Sequence, residues 1–152
     1  MISPIKRNEL LKPYSRDHHH GLLLCWKIKV GLQKNIELNR ISNYVSSFWN
    51  SHLKAHFLEE EKYVFTVLPS NDEHIIQAIK EHNSLRAHFE KENMDIATLQ
   101  SIEMELNAHI RFEERLLFNK IQDAATETQL QQLNEHYNNE YKEEWNDEFW
   151  LN

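Results

Sequence analysis

The chain predicts an all-α fold, an up-down-up-down four-helix bundle with an additional C-terminal helix. Three observations lead there. Only two glycines and three prolines occur in 152 residues, and no β-rich runs alternate with turn signals, so long helices are favoured over a sheet. Apolar residues recur at three- and four-residue spacing through four long segments. The links between those segments are short, which makes successive helices antiparallel neighbours. A hydrophobic content of 40% is enough to bury a sizeable core in one domain of this length. The bundle is assigned to residues 10–123 and the additional helix to 124–152.

The first helix is expected from about Arg16 to Lys34, with Ser15 as N-cap after Pro13 and an apolar face through Leu22, Leu23, Trp26 and Val30. A polar link through Asn35 leads to a second helix, from about Glu37 to Leu68, stopped by Pro69. Its inward stripe reads Val45, Trp49, Leu53, His56, Glu60, Tyr63, Val67. Asn71 or Asp72 caps the third, which runs to about Glu92 with Ile75, Ile79, His82, Leu85 and Phe89 on one side. The fourth starts after Asp95 and reaches about Gln122, with Leu99, Ile102, Leu106, His109, Glu113, Leu116 and Leu117 facing in. Thr126-x-x-Gln129 is a capping box, and Leu130, Leu133, Tyr137, Tyr141, Trp145 and Phe149 follow at helical spacing. This fifth helix packs on the bundle or forms a homodimer contact through its aromatic side.

A net charge of −7 without a clustered basic stripe argues against a nucleic-acid partner. No stretch approaches the roughly 18 apolar residues that span a bilayer, and the start of the chain has no apolar secretion signal, so no membrane partner is expected. Cys25 is the one cysteine, which rules out an intramolecular disulfide; its apolar neighbours predict a buried thiol in a reducing, cytoplasmic setting.

The chemistry lies in a recurrent pattern. Ala55-His56 is followed by Glu60-Glu61, Phe65 and Leu68; Ala108-His109 is followed at the same offsets by Glu113-Glu114, Phe118 and Ile121. On a helix, i and i+4 lie one turn apart on the same face, so each pair points an imidazole and a carboxylate in one direction. The first and third helices each contribute a histidine. His82 has Leu85 at i+3 and Phe89 at i+7, and His19 has Leu22 and Trp26 at the same offsets, so His19 is chosen over His18 and His20 by helical phase.

A single His on an apolar face is more often a hydrogen-bonded core residue than a ligand, and Glu-Glu runs are usually solvated. The set as a whole resists that explanation, because burying two ionised carboxylates without a partner is very costly and Arg86 is the one inward cation. The predicted metal ligands are therefore His19, His56, Glu60, His82, His109 and Glu113. Imidazole nitrogen with carboxylate oxygen suits iron, manganese or zinc, and two carboxylates can bridge two ions. His52 is placed on the flank of its stripe, as an outer partner or extra ligand; His74, His88 and His136 fall outside by phase, as do Glu59, Glu61 and, least securely, Glu114.

With these residues in place, the chain resembles the hemerythrin-like, HHE cation-binding family over about Leu10 to Asp123. The carriers are Arg16-Asp17-His18-His19-His20, His56-x-x-x-Glu60, Glu81-His82-x-x-Leu85 and His109-x-x-x-Glu113. The resemblance implies a non-haem diiron centre with Glu60 and Glu113 bridging and His19, His56, His82 and His109 as terminal ligands. It departs from the family's oxygen carriers at Arg86, where they place a second histidine on the third helix, and those carriers' spacing would select Glu114 over Glu113.

What the resemblance implies about function is a protein that binds or senses a small ligand, dioxygen or nitric oxide, or iron itself, at two iron ions, with manganese or zinc as substitutes. Alternatives are a diiron enzyme acting on peroxide or nitric oxide or delivering iron to damaged centres, and a metal buffer. Trp26, Trp49, Phe57, Phe65, Phe89 and Phe118 are expected to keep water from the site, beyond their role as core.

Overall fold

The structure, a computed structural model, describes residues 6–137 and 141–151. It is all-α, with no strand among those residues: four long rods and a shorter C-terminal helix. Helix α1 spans Lys12–Gln33. Helix α2 covers 38–67 as a continuous rod of Leu38–Phe48, a π-helical turn at Trp49–Leu53, Lys54–Glu59, a second π turn at Glu60–Val64, and a closing 3₁₀ turn at Phe65–Val67. Helix α3 is Glu73–Phe89. Helix α4 covers 96–124, interrupted by a π turn at Glu113–Leu117. Helix α5 is Glu127–His136. No helix among the described residues is long and apolar enough to cross a membrane.

Side-chain caps fix three of the starts. Asp72 accepts from the backbone N–H groups of His74 and Ile75, Asp95 from Thr98, and Thr126 and Gln129 form both bonds of the capping box. At α1 the chain is helical before Ser15, which sits inside the helix and donates to Glu114 Oε2 at 2.9 Å. Asn35 makes the turn between α1 and α2 with φ of 56°, a left-handed conformation asparagine tolerates.

Cross-helix contacts give the order of the rods. Asp17 meets His56 while Lys27 meets Tyr44; Trp49 meets Phe89 while Phe57 meets His82; Glu81 meets His109 while His88 meets Glu105; Ser15 meets Glu114 while Gly21 faces Ile110. In each pair one number rises as the other falls. The rods therefore form a closed antiparallel ring, α1 to α2 to α3 to α4 and back to α1.

The buried face of α1 differs from the predicted one. Leu24, Cys25 and Ile28 are buried together with Gly21 and Gly31, whereas Trp26 is 51% exposed and Leu23 37%. Two glycines add nothing apolar to the face they occupy. Each is required by proximity: a Cβ on Gly21 would lie 2.7 Å from Ile110 Cδ1, and one on Gly31 2.8 Å from the Phe149 ring and 2.9 Å from Ile41 Cδ1. Lys27 also lies on the buried face, its charge met by Glu143, its Nζ donating to Tyr44 Oη at 2.9 Å and lying 3.9 Å from the centre of the Trp150 ring. Helical phase read from hydrophobicity alone thus selected the outer face.

Each π turn inserts an extra residue into the helical count and shifts every later side chain around the rod. Val64, Phe65 and Leu68 are buried where Tyr63 and Val67 were predicted, and Leu117, Phe118 and Ile121 are buried while Leu116 is 52% exposed. The fifth helix is also shorter than its stripe. Helix ends at His136, residues 138–140 lie outside the described set, and 141–148 run along α1 and α2 without regular secondary structure. Tyr141 packs on Phe48 and His52, Glu143 on Lys27 and Tyr44, Asp147 pairs with Arg40 at 2.6 Å, and Phe149 and Trp150 are buried. The aromatic side chains of the tail are thus spent on their own chain.

The apolar interior forms two clusters. One contains Leu24, Leu53, Phe57, Leu85, Leu106 and Ile110; the other contains Tyr14, Val64, Ala78, Leu117 and Phe118. On every rod a polar segment falls between them: His18 on α1, His56 to Glu60 on α2, His82 on α3, His109 to Glu113 on α4.

Candidate metal centre

Six side chains meet in this polar layer: His18, His56, Glu60, His82, His109 and Glu113, each between 0% and 4% exposed. Five of the six predicted ligands are among them. His19 is not; it is exposed on the outer side of α1, and His18 occupies the inward position. The reason is the α1 phase described above. Because Gly21, Leu24 and Ile28 define the buried face, His18 falls on it, three residues before Gly21.

The geometry has a two-fold character. His56 Nε2 and His82 Nε2 both approach Glu60 Oε1 at 3.2 Å. His18 Nε2 and His109 Nε2 approach Glu113 Oε1 at 2.9 and 3.2 Å. His18 Nε2 also reaches Glu60 Oε2 at 3.5 Å. Two groups of potential ligands result, His18–His56–Glu60–Glu113 and Glu60–His82–His109–Glu113, each with its donor atoms within 4.8 Å of one another. Both carboxylates belong to both groups, and each lies between one imidazole of either group.

The opposite edge of every imidazole is tethered. Asp17 of α1 receives His56 Nδ1 at 2.9 Å, Glu61 of α2 receives His82 Nδ1 at 2.6 Å, Glu81 of α3 receives His109 Nδ1 at 2.7 Å, and Glu114 of α4 receives His18 Nδ1 at 2.9 Å. Each helix supports the histidine of the next, and the circuit closes around the ring. A carboxylate that accepts from Nδ1–H selects the tautomer whose Nε2 lone pair faces the centre, fixes the ring plane and raises its basicity. All four acids stand in the sequence motifs, as the doublets Asp17-His18, Glu60-Glu61, Glu81-His82 and Glu113-Glu114, but spacing alone gave them no role and set Glu61 and Glu114 outside the site. A neighbour in sequence is turned about 100° around the helix, away from the axis and toward the adjacent rod.

Electrostatics tie the layer together. Burial disfavours the charged His18 imidazole, but hydrogen bonds with Glu113 and Glu114, and the Glu60 carboxylate close by, outweigh it and lift the group well above the usual histidine range. Burial works against charged His56 and His109 as well, and Glu60 with Asp17, and Glu113 with Glu81, raise them to about 10 and about 9. Glu60, despite burial that favours its acid form, is held well below the carboxylate range by His56, His18 and His82. Several kcal/mol oppose burial of each such charge unless it is compensated.

That compensation is incomplete within the protein. His56 Nε2, His82 Nε2, His109 Nε2, both oxygens of Glu60 and Glu113 Oε2 are buried and in no hydrogen-bonding geometry with any other group. Such atoms can serve as donors to a metal ion, and imidazole with carboxylate in the absence of thiolate suits iron, manganese or zinc. The residues therefore fit a metal ion.

Apolar rings wall the layer. Phe57 stacks on His82 at 3.9 Å, Phe65 lies 5.3 Å from the same ring, and Phe118 stacks on His18 at 5.1 Å. Trp49 and Phe89 stack on each other within the adjoining apolar cluster, and Trp26 is on the surface, away from the water-excluding role expected of it. His52, expected on a flank, is fully buried beneath Tyr141, with Nε2 3.8 Å from Asp17 Oδ1. Arg86 pairs with Glu61 at 3.1 Å, and so acts on the outside of the His82 tether. His136 is exposed and stacks on Tyr63, while His74 and His88 are half-buried at the α3–α4 surface.

Comparison of the chain with protein-family models, with curated proteins and with solved structures finds no match.

Proposed function

We propose that this chain is a hemerythrin-like protein that holds two iron ions, bridged by Glu60 and Glu113, and binds or senses a small ligand such as dioxygen or nitric oxide there. The observation that carries this reading is the sharing of both carboxylates between two four-residue groups. A single-ion site needs one such group; two groups meeting on a common pair of acids suit two ions held close.

The chain's own residues supply the rest. His18 and His56 would hold one ion, His82 and His109 the other, all through Nε2 with Nδ1 engaged outside. Glu60 and Glu113 would serve both ions, and a reduced iron pair held there would supply electrons to a small oxidant. Phe57, Phe65 and Phe118 exclude bulk water from the layer, and the outer acids hold the imidazoles in place as charge changes at the centre.

Metal quantification on protein purified without chelator or a nickel column tests the reading. Two ions per chain, falling to none in Glu60→Ala, is the expected result. One ion or none in the parent protein overturns it. Mixing the diferrous protein with air then separates functions: a long-lived charge-transfer band marks reversible binding, and rapid loss of peroxide with conversion to the diferric state marks an enzyme.

A further inference from the structure

One of the four outer tethers is backed from outside the ring of rods. Asp17 receives His56 Nδ1 on one oxygen, at 2.9 Å, and the Tyr137 hydroxyl on the other, at 2.6 Å. Tyr137 ends α5 and packs edge-on against Tyr14, with centroids 5.2 Å apart. By contrast, the Glu114 carboxylate that tethers His18 is backed by Ser15 of α1 at 2.9 Å, Glu61 by Arg86 and Glu81 by Gln77, all three on rods of the ring. Asp17 also floors a surface pocket lined by Arg16, His20, Asn134, Tyr137 and Tyr141.

Helix α5 has ten residues and is anchored by two buried side chains, Leu130 and Leu133, and a short helix held on one face opens locally at lower cost than rods closed into a ring. A tether whose backing sits on such a segment is released whenever the segment opens, and loss of an outer tether typically weakens metal binding about 10- to 100-fold. From this contrast, and resting on the dimetal reading above, we infer that the two metal positions exchange at different rates: the His18–His56 position exchanges first, and Tyr137 sets its rate through Asp17. Tyr137 is a positioning residue, since it touches the tether and never the ion. The His82–His109 position, backed from within the ring and covered by Phe57 and Phe65, is the retained one.

Anaerobic loading with Fe(II), followed by release into an excess of a chromogenic Fe(II) chelator, tests this. The parent protein is expected to hold two ions and lose them in two phases of equal size. Tyr137→Phe accelerates the fast phase roughly tenfold and leaves the slow one unchanged. Glu61→Gln accelerates the slow phase, and His18→Ala retains the slow phase alone. Should Tyr137→Phe unfold α5, Asp17→Asn, which leaves Tyr137 packed on Tyr14, gives the same selective acceleration. Two ions lost in a single phase, or acceleration of both phases or of neither by the tyrosine and aspartate variants, overturns the inference. A parent protein that binds fewer than two ions overturns the dimetal reading instead.

Discussion

Glu81 accepts the Nδ1 proton of His109 at 2.7 Å across the seam between α3 and α4, while its neighbour in sequence, His82, turns inward and joins the same group of candidate ligands as His109. One residue braces the outside of one candidate ligand and the next is a candidate ligand itself. The division predicts that Glu81→Gln keeps the fold and the metal count but lowers affinity by about 10- to 100-fold, the usual effect of losing an outer acid. Competition against a chelator of known affinity measures it, and an unchanged dissociation constant would remove Glu81 from the site.

His18 and His19 are adjacent in sequence and opposite in fate: one is buried among the acids, the other exposed. His18→Ala is expected to drop the metal count from two to one, and His19→Ala to leave it at two. The reverse result would restore the assignment made from helical phase.

The raised histidines give the metal-free protein a pH signature. Folded-state values of about 10 for His56 and about 9 for His109 exceed the 6.5 of an ordinary histidine. Their contribution to stability is therefore full below about pH 6.5, declines as pH rises, and is gone above about pH 10. Glu60, held low, has the opposite sign, and its contribution is lost on acidification. Thermal melts of metal-free protein should fall toward alkaline pH, while the loaded protein, whose Nε2 atoms carry no proton, should not. Metal binding near neutral pH must also expel protons, and calorimetry in buffers of different ionisation enthalpy reads their number. Binding without proton release would contradict the histidine assignments.

Two glycines on one face of α1 are predicted to differ on substitution. At Gly31 a new Cβ would meet both Phe149 and Ile41, an overpacking that costs about 1–3 kcal/mol, against roughly 1 kcal/mol regained in helix propensity. At Gly21 the close atom is the terminal Cδ1 of Ile110, which a rotamer change can move. Denaturant unfolding should show Gly31→Ala destabilised and Gly21→Ala near neutral; equal effects would mean the tail packing of Phe149 is unimportant.

Much of the fold and site was legible because it follows helical arithmetic. His56 with Glu60 and His109 with Glu113 meet at i+4 on uninterrupted helix, and Asp72, Asp95 and Thr126 cap as short polar side chains do. The failures share a cause, a departure from the rule that the apolar face is the buried one. Gly21 and Gly31 are buried for what they lack, Lys27 for the partners it finds, and Trp26 is apolar on the surface. The π turns that begin at Glu60 and Glu113 displaced the downstream stripe of each rod, and nothing in local propensity marks an inserted residue. In the tail, Tyr141, Trp145 and Phe149 keep helical spacing in a segment that is not helical, because packing on α1 and α2 decides the conformation there.

The polar layer between the two apolar clusters also sets how the molecule comes apart. Across that layer the two apolar clusters meet mainly through imidazoles and acids, with Phe57 and Phe65 reaching the His82 ring from either side. Cations gripped by all four rods would weld the two clusters into one cooperative block. Loading should then sharpen the unfolding transition as well as raise its midpoint, and the width of a calorimetric peak becomes a gauge of occupancy.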